Sequence, residues 1–224
     1  MAENEGRAGD GLLPSSVFST ILLSALALFA FAGNSLINRA ALAGGVIDAG
    51  SFTAIRLGSG AIFLSALMLL RNGAKMFRFG RDIRGALALC AYAACFSFAY
   101  LELPAGVGAL ILFASVQISM QAIALFRGEK INHWQAAGMA VAIGGLVYLL
   151  VPGAEPPPLL PAALMMLSGI AWGIYSILGM VGQDPIAATT RNFIVAALLS
   201  CPLILLDGDA AVQSEGVVLA IFGG

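Results

Sequence analysis

The chain has 224 residues, of which 60% are hydrophobic and 10% charged, and its formal net charge is −1. A soluble globular domain carries roughly 25% charged residues, so this chain has too few charges to cover a surface that faces water. It has no basic block or acidic tail, which excludes nucleic acid as a partner. The composition therefore predicts an all-α, polytopic integral membrane protein.

Apolar segments recur along the chain at the length of about 20 residues that a helix needs to cross a bilayer. Charged residues separate them, and in chain order we place helices at 17–38, 50–70, 85–101, 104–126, 133–151, 159–180 and 187–206. A last apolar run, GVVLAIFGG, reaches only about 14 Å as a helix. We therefore expect seven complete helices, the start of an eighth, and a chain that is a fragment of a longer protein.

The links between these helices alternate in charge. The link between the second and third helices, residues 71–84, is strongly basic, and the next even-numbered links contain Arg127, Lys130 and Arg191. The odd-numbered links carry acids instead: Asp48, Glu102 and Glu155. Because basic links remain in the cytoplasm, we expect the even-numbered links and the N-terminus to be cytoplasmic.

A proline-rich link at 152–161 divides the chain into two units, 17–151 and 159–224. The first unit holds five helices, and an odd number inverts the topology of a second, similar unit, as in many transporters. A weak internal similarity supports such inverted five-helix repeats. In both units an acid, a threonine and an arginine follow the first helix: Asp48, Thr53 and Arg56, then Asp184, Thr190 and Arg191.

Arg56 is the one charge predicted inside the second helix. A charged side chain at the bilayer centre costs about 2.5–3.5 kcal/mol on insertion scales, so its presence needs a reason. Arg56 could contact a substrate carboxylate or act in a gate. The alternative is that its long side chain reaches the outer interface and pairs with Asp48.

Uncharged polar and aromatic residues in the predicted helices form a second group of candidates. Gln117 and Gln121 are four residues apart and share one face of a helix. Such groups can bind a polar ligand at the midplane or form hydrogen bonds between helices. The full set of pocket candidates is Asn34, Arg56, Tyr92, Gln117, Gln121, Trp172 and Tyr175.

The sequence offers little for catalysis. His133 is the only histidine, and no HExxH or GxSxG motif occurs. We therefore expect no catalytic residue, no metal, no cofactor and no enzymatic activity. Glycines four apart, Gly169 and Gly173, instead indicate close helix packing.

Three stretches resemble the EamA-type members of the drug/metabolite transporter superfamily. They are GNSLINRAAL at 33–42, SFTAIRLGSGAIFL at 51–64, and GVGALILFASVQISMQAIALFRGEKINHWQAAGMAVAIGGLVYLL at 106–150. The Gly128-Glu129 pair, which joins the fourth and fifth helices, is typical of that family.

The resemblance implies ten helices in two inverted five-helix repeats, of which this chain lacks most of helix 8 and all of helices 9 and 10. It also implies export of metabolites, amino acids or drugs across the bacterial inner membrane. Gly128, Glu129 and Arg191 are then structural or gating candidates. The expected partners are a small-molecule substrate and the lipid bilayer, with a homodimer left open. The alternatives are a non-transporting membrane scaffold and an intramembrane enzyme.

Overall fold

The computed structural model describes residues 15–72, 83–129, 132–150, 157–179, 184–205 and 212–223. The regular elements of these residues are all helical, which confirms the all-α class. The α-helices are α1 (Ser15–Ala43), α2 (Ala49–Asn72), α3 (Arg84–Ala99), α4 (Ala105–Phe126), α5 (His133–Leu150), α6 (Leu159–Gly179), α7 (Pro185–Ser200) and α8 (Ser214–Phe222), and a 3-10 turn at Cys201–Leu205 follows α7.

Five segments of the described residues are long and apolar enough to cross a bilayer, as expected of a multi-pass membrane protein. They are Ser19–Ala43, Ala49–Arg71, Ala105–Phe126, Leu159–Gly179 and Pro185–Leu205. α3 is a shorter apolar helix of 16 residues. The count of seven complete spans and the ten-helix inverted repeat therefore stay predictions.

Two helix ends differ clearly from the predicted ones. The first helix continues past residue 38 to Ala43, and its end is followed by Gly45 in a left-handed conformation with φ of 63°. The predicted seventh helix, 187–206, is interrupted, because α7 ends at Ser200 and continues as the 3-10 turn. Pro202 lies in that turn, and its missing N–H and bulky ring prevent a regular α-helix from continuing.

The chain forms two compact units, residues 1–34 and residues 35–224. The described part of the first unit is the beginning of α1, residues 15–34. Its large apolar side chains are exposed, with Leu23 at 66% and Phe29 at 78%. Such a surface suits lipid better than water.

In the second unit, α2, α3, α6 and α7 supply most of the buried core. α3 packs against α6 and α7, and α2 packs against α7 and α8, while α4 covers another side of α6. Large side chains that are fully buried in this core include Phe52, Leu57, Leu89, Phe96 and Met165.

Glycines let α6 and α4 approach each other closely. A Cβ atom added at Gly169 would lie 2.6 Å from both the Leu112 carbonyl oxygen and the Ser115 Cβ. A Cβ added at Gly173 would collide with the Ser119 hydroxyl. This pair of glycines therefore has the packing geometry that its spacing predicts.

Several sequence-based predictions fall on residues outside the described part. The acidic N-terminal segment, most of the basic 71–84 link, Lys130 and the first half of the proline-rich 152–161 link are in this position. The predicted orientation and the boundary between the two repeats rest on these segments and stay predictions.

Candidate functional site

Arg56 lies two turns into α2 and is 7% exposed. The pairing considered from the sequence is not the one observed, because the Asp48 carboxylate accepts a hydrogen bond from the Ser51 N–H at 2.6 Å at the start of α2. An acid at this position accepts hydrogen bonds from the free backbone N–H groups at a helix N-terminus, and its negative charge complements the helix dipole. Arg56 therefore interacts with other groups, and its side chain is buried among neighbouring helices.

The Arg56 guanidinium donates to three neutral oxygens. Nε donates to the Gly223 carbonyl at 2.7 Å, Nη1 to Asn38 Oδ1 at 3.3 Å, and Nη2 to the Tyr92 hydroxyl at 3.2 Å. Asn38 is fully buried. Within the described residues, no acidic side chain forms an ion pair with Arg56. A buried cation whose described neighbours are neutral groups is attractive to an anion.

Two aromatic rings of α3 flank the same guanidinium. Its central carbon lies 5.6 Å from the centroid of the Tyr92 ring and 5.3 Å from that of Phe96. Both distances are within the range of cation–π attraction. Because Tyr92 and Phe96 are four residues apart, they project from one face of α3.

The aromatic contacts continue from α3 into α6. The Tyr92 and Trp172 ring centroids are 4.6 Å apart, and those of Trp172 and Tyr175 are 5.5 Å apart. Ser168 of α6 donates to the Tyr92 carbonyl at 3.0 Å, which fixes the two helices together. We refer to these side chains as the Arg56 cluster, whose members are Asn38, Arg56, Tyr92, Phe96, Trp172 and Tyr175.

Gln117 and Gln121 line a cavity of about 670 Å³ between α4 and α5. This space, which we call the α4–α5 groove, is also lined by Phe113, Gln135, Met139 and Ile143, among others. All the described residues that line it are uncharged. The sequence-predicted candidates therefore divide between a cationic aromatic cluster and a neutral groove.

Gly128 and Glu129 form the end of α4. Gly128 has φ of 83°, its N–H donates to the Leu125 carbonyl, and the Glu129 N–H donates to the Ala124 carbonyl. This is a Schellman motif, in which a left-handed glycine lets two backbone groups bond to the last carbonyls of the helix. The Glu129 side chain is exposed. The role of the pair that the structure shows is therefore the backbone one, which is to end α4.

The remaining candidates lie elsewhere. Asn34 is the last residue of the first unit. Arg191 lies in α7, and its buried Nε has no hydrogen-bond partner among the described residues. Asp184 begins that helix by accepting from the N–H groups of Ile186 and Ala187 at 3.1 and 3.2 Å.

Sequence reasoning missed Asn38, Phe96 and Gln135. Asn38 is four residues after Asn34, and Phe96 is four residues after Tyr92, so helical spacing from known candidates was the available signal. Gln135 gave no such signal, because it borders the groove from a different helix.

The side chains of these two places are suited to binding a ligand. The Arg56 cluster supplies a positive charge, hydrogen-bonding groups and aromatic faces, whereas the groove supplies carboxamides in apolar walls. In the part of the chain that the structure covers, no three His, Cys, Asp or Glu residues come together as metal ligands.

Comparison with known proteins gives two relatives. The chain is 48% identical over 207 residues to the uncharacterized protein PA1977 of Pseudomonas aeruginosa, which covers 92% of this chain and 71% of that protein. It is 29% identical over 91 residues to the probable terminal-alkyne amino-acid exporter of Streptantibioticus cattleyicolor, which covers 41% of this chain and 31% of the exporter. No family model matches the sequence, and no solved structure matches the chain. The identity and coverage of the first match place this chain in the same family as PA1977 of Pseudomonas aeruginosa.

Proposed function

We propose that this protein is a small-molecule transporter of the EamA type within the drug/metabolite transporter superfamily, and that it exports solutes by alternating access. The observation that carries the proposal is the buried Arg56, which bonds only to neutral groups among the described residues. Ionisable groups at membrane depth are expensive, and they commonly mark the path of a substrate or ion.

The solute that suits this cluster is a small molecule with a carboxylate. A guanidinium binds a carboxylate through two parallel charge-assisted bonds, which are roughly twice as strong as bonds to neutral oxygens. The longer bonds of Arg56, at 3.2 and 3.3 Å, are the ones a carboxylate would replace most readily. Trp172 and Tyr175 would then offer aromatic surface to the rest of the solute.

The exporter relative and the five membrane-span candidates support this function. An amino acid carries the carboxylate that Arg56 would bind, and the relative is by name an exporter of one kind of amino acid. Metabolites and drugs with the same group are further members of the proposed substrate class.

The contacts between helices support an inverted repeat. α2 and α7 would be equivalent helices, and they pack against each other. Under that equivalence, the α3–α7 contact corresponds to the α2–α8 contact, and both occur. Asp48 and Asp184 also accept hydrogen bonds from backbone N–H groups in the first turns of α2 and α7.

The remaining parts of the proposal come from the sequence. The basic even-numbered links favour a cytoplasmic N-terminus in the bacterial inner membrane. Binding without a cofactor or chemical conversion suits the residues of the cluster, so we propose a carrier rather than an enzyme. A homodimer is compatible with this arrangement.

Deletion of the full-length gene tests the function. Cells that lack the exporter should accumulate at least one carboxylate-bearing metabolite, and a plasmid copy should restore its release. A non-transporting scaffold would leave every intracellular pool and every efflux rate unchanged.

A further inference from the structure

The α4–α5 groove is separate in chemistry from the Arg56 cluster. Its volume of about 670 Å³ is within the roughly 300–1,000 Å³ of ligand pockets in proteins. Its walls include the apolar side chains of Phe113, Met139 and Ile143. The groove is half-open, so its interior is accessible from the surface of the described helices.

Two carboxamides of α4, those of Gln117 and Gln121, border this groove. Among the described residues, neither the Gln117 nor the Gln121 side chain forms a hydrogen bond. Gln117 is twelve residues from the start of α4, or about 18 Å along a helix of about 33 Å. It therefore lies near the middle of a candidate membrane span, with Gln121 one turn further. The Gln117 side chain is exposed and that of Gln121 is half-buried, so both are accessible from the groove. In an apolar medium, a polar group that pairs with them would be favoured.

Gln135 adds a third carboxamide from α5. Its Oε1 accepts a hydrogen bond from the Asn132 N–H at 3.1 Å, which fixes the side chain at the start of α5. Its amide N–H groups have no partner in the described part of the chain. The groove therefore offers donors from both helices and acceptors from α4.

We propose that the α4–α5 groove binds uncharged solutes that combine a carboxamide with an apolar body. A carboxamide presents one acceptor and two donors, so it can form a reciprocal pair of hydrogen bonds with a glutamine side chain. The described lining holds no charge, so a carboxylate or an ammonium group would lose its hydration without an ion partner. The apolar body would lie against Phe113, Met139 and Ile143. This site is independent of the Arg56 cluster and does not require that the protein export its ligand.

Photolabelling of the purified full-length protein in lipid nanodiscs tests this site. Three probes share one alkyl chain with a diazirine and differ only at the end, which is a carboxamide, a carboxylate or a methyl group. We expect the carboxamide probe to label peptides of α4 and α5, and hexanamide to compete with it. The double variant Gln117→Leu/Gln121→Leu should lower the competed labelling roughly tenfold or more, as expected for two lost hydrogen bonds.

Two further variants make the result decisive. Gln213→Leu removes an exposed glutamine at the start of α8, away from the residues that line the groove, and should label like the wild type. Met139→Trp fills the groove while keeping its carboxamides, and should also abolish the competed labelling. This variant provides the test if the double variant does not fold. Equal labelling by the methyl probe, effective competition by hexanoate, or full labelling of folded Met139→Trp would each overturn the proposal.

Discussion

Arg56 of α2 and Tyr92 of α3 interact in two ways, through a 3.2 Å hydrogen bond from Nη2 to the phenol oxygen and through a guanidinium carbon 5.6 Å from the ring centroid. The same tyrosine ring contacts Trp172 of α6 at 4.6 Å. Tyr92 thus connects the buried charge to the aromatic residues of a third helix. A solute bound to Arg56 would consequently affect the packing of α2, α3 and α6 together.

Tyr92→Phe separates these two interactions. It removes the hydroxyl and keeps the ring, so we expect a loss of about 1 kcal/mol from the free energy of unfolding, the usual net value of one hydrogen bond. Thermal unfolding in detergent measures the change. Tyr92→Ala also removes the ring contacts to Arg56 and Trp172, and should cost several times more. Equal effects of the two variants would mean that the ring contributes nothing.

Arg56→Gln and Arg39→Gln form a matched pair. Arg39 donates to the carbonyls of Tyr100 and Leu101 at 2.8 and 3.0 Å, at the end of α3. Both variants should lower stability by about 1–3 kcal/mol, because Arg56→Gln leaves buried acceptors unpaired and Arg39→Gln leaves the half-buried Tyr100 carbonyl unpaired.

The two variants should differ in ligand response. Amino acids that raise the unfolding temperature of the wild type should still do so for Arg39→Gln, and should have no effect on Arg56→Gln. A retained thermal shift in Arg56→Gln would mean that the carboxylate binds elsewhere.

Gly128→Ala tests the end of α4. A residue with a Cβ in the left-handed conformation costs roughly 1–2 kcal/mol, and Gly128 has φ of 83°. The control is Gly144→Ala in α5, where an added Cβ meets nothing within 4 Å and the conformation is helical. That control should be neutral or more stable by up to about 1 kcal/mol. The account of this helix end fails if both variants unfold at the same temperature.

Gly169→Ala tests the contact between α4 and α6. The new methyl group would press on the Leu112 backbone, so we expect a loss of about 1–3 kcal/mol, as is usual for an overfilled contact. Gly179→Ala lies at the end of the same helix with open space around it. Equal unfolding temperatures for the two variants would show that a methyl group added at Gly169 does not destabilise the contact between α4 and α6.

The helices were largely predictable from the sequence because apolar length between charges is a direct consequence of bilayer thickness. The predicted start of the fifth and sixth helices, at 133 and 159, matches α5 and α6. The end of α7 was missed because the interrupting Pro202 sits in an otherwise apolar run.

The site was only partly predictable. Helical spacing identifies residues that share a face, such as Gln117 and Gln121, and both of these line the α4–α5 groove. It does not specify which helices pack together. For that reason the sequence grouped Arg56 and Gln117 as candidates for one pocket, while Arg56 contacts α1, α3 and the residue that follows α8. The partners of Arg56 are 18, 36 and 167 residues away along the chain, which no local pattern reveals.

Solute counterflow in proteoliposomes tests the central claim most directly. Liposomes that contain the full-length protein would be preloaded with unlabelled amino acids or with cationic drugs, and the uptake of labelled solute would then be followed. The account predicts saturable counterflow of at least one carboxylate-bearing solute. It also predicts a loss of at least about tenfold in Arg56→Gln, the effect of one charge-assisted interaction, and retention in Arg39→Gln. Counterflow no faster than in protein-free liposomes for every solute, or wild-type rates in Arg56→Gln, would contradict it.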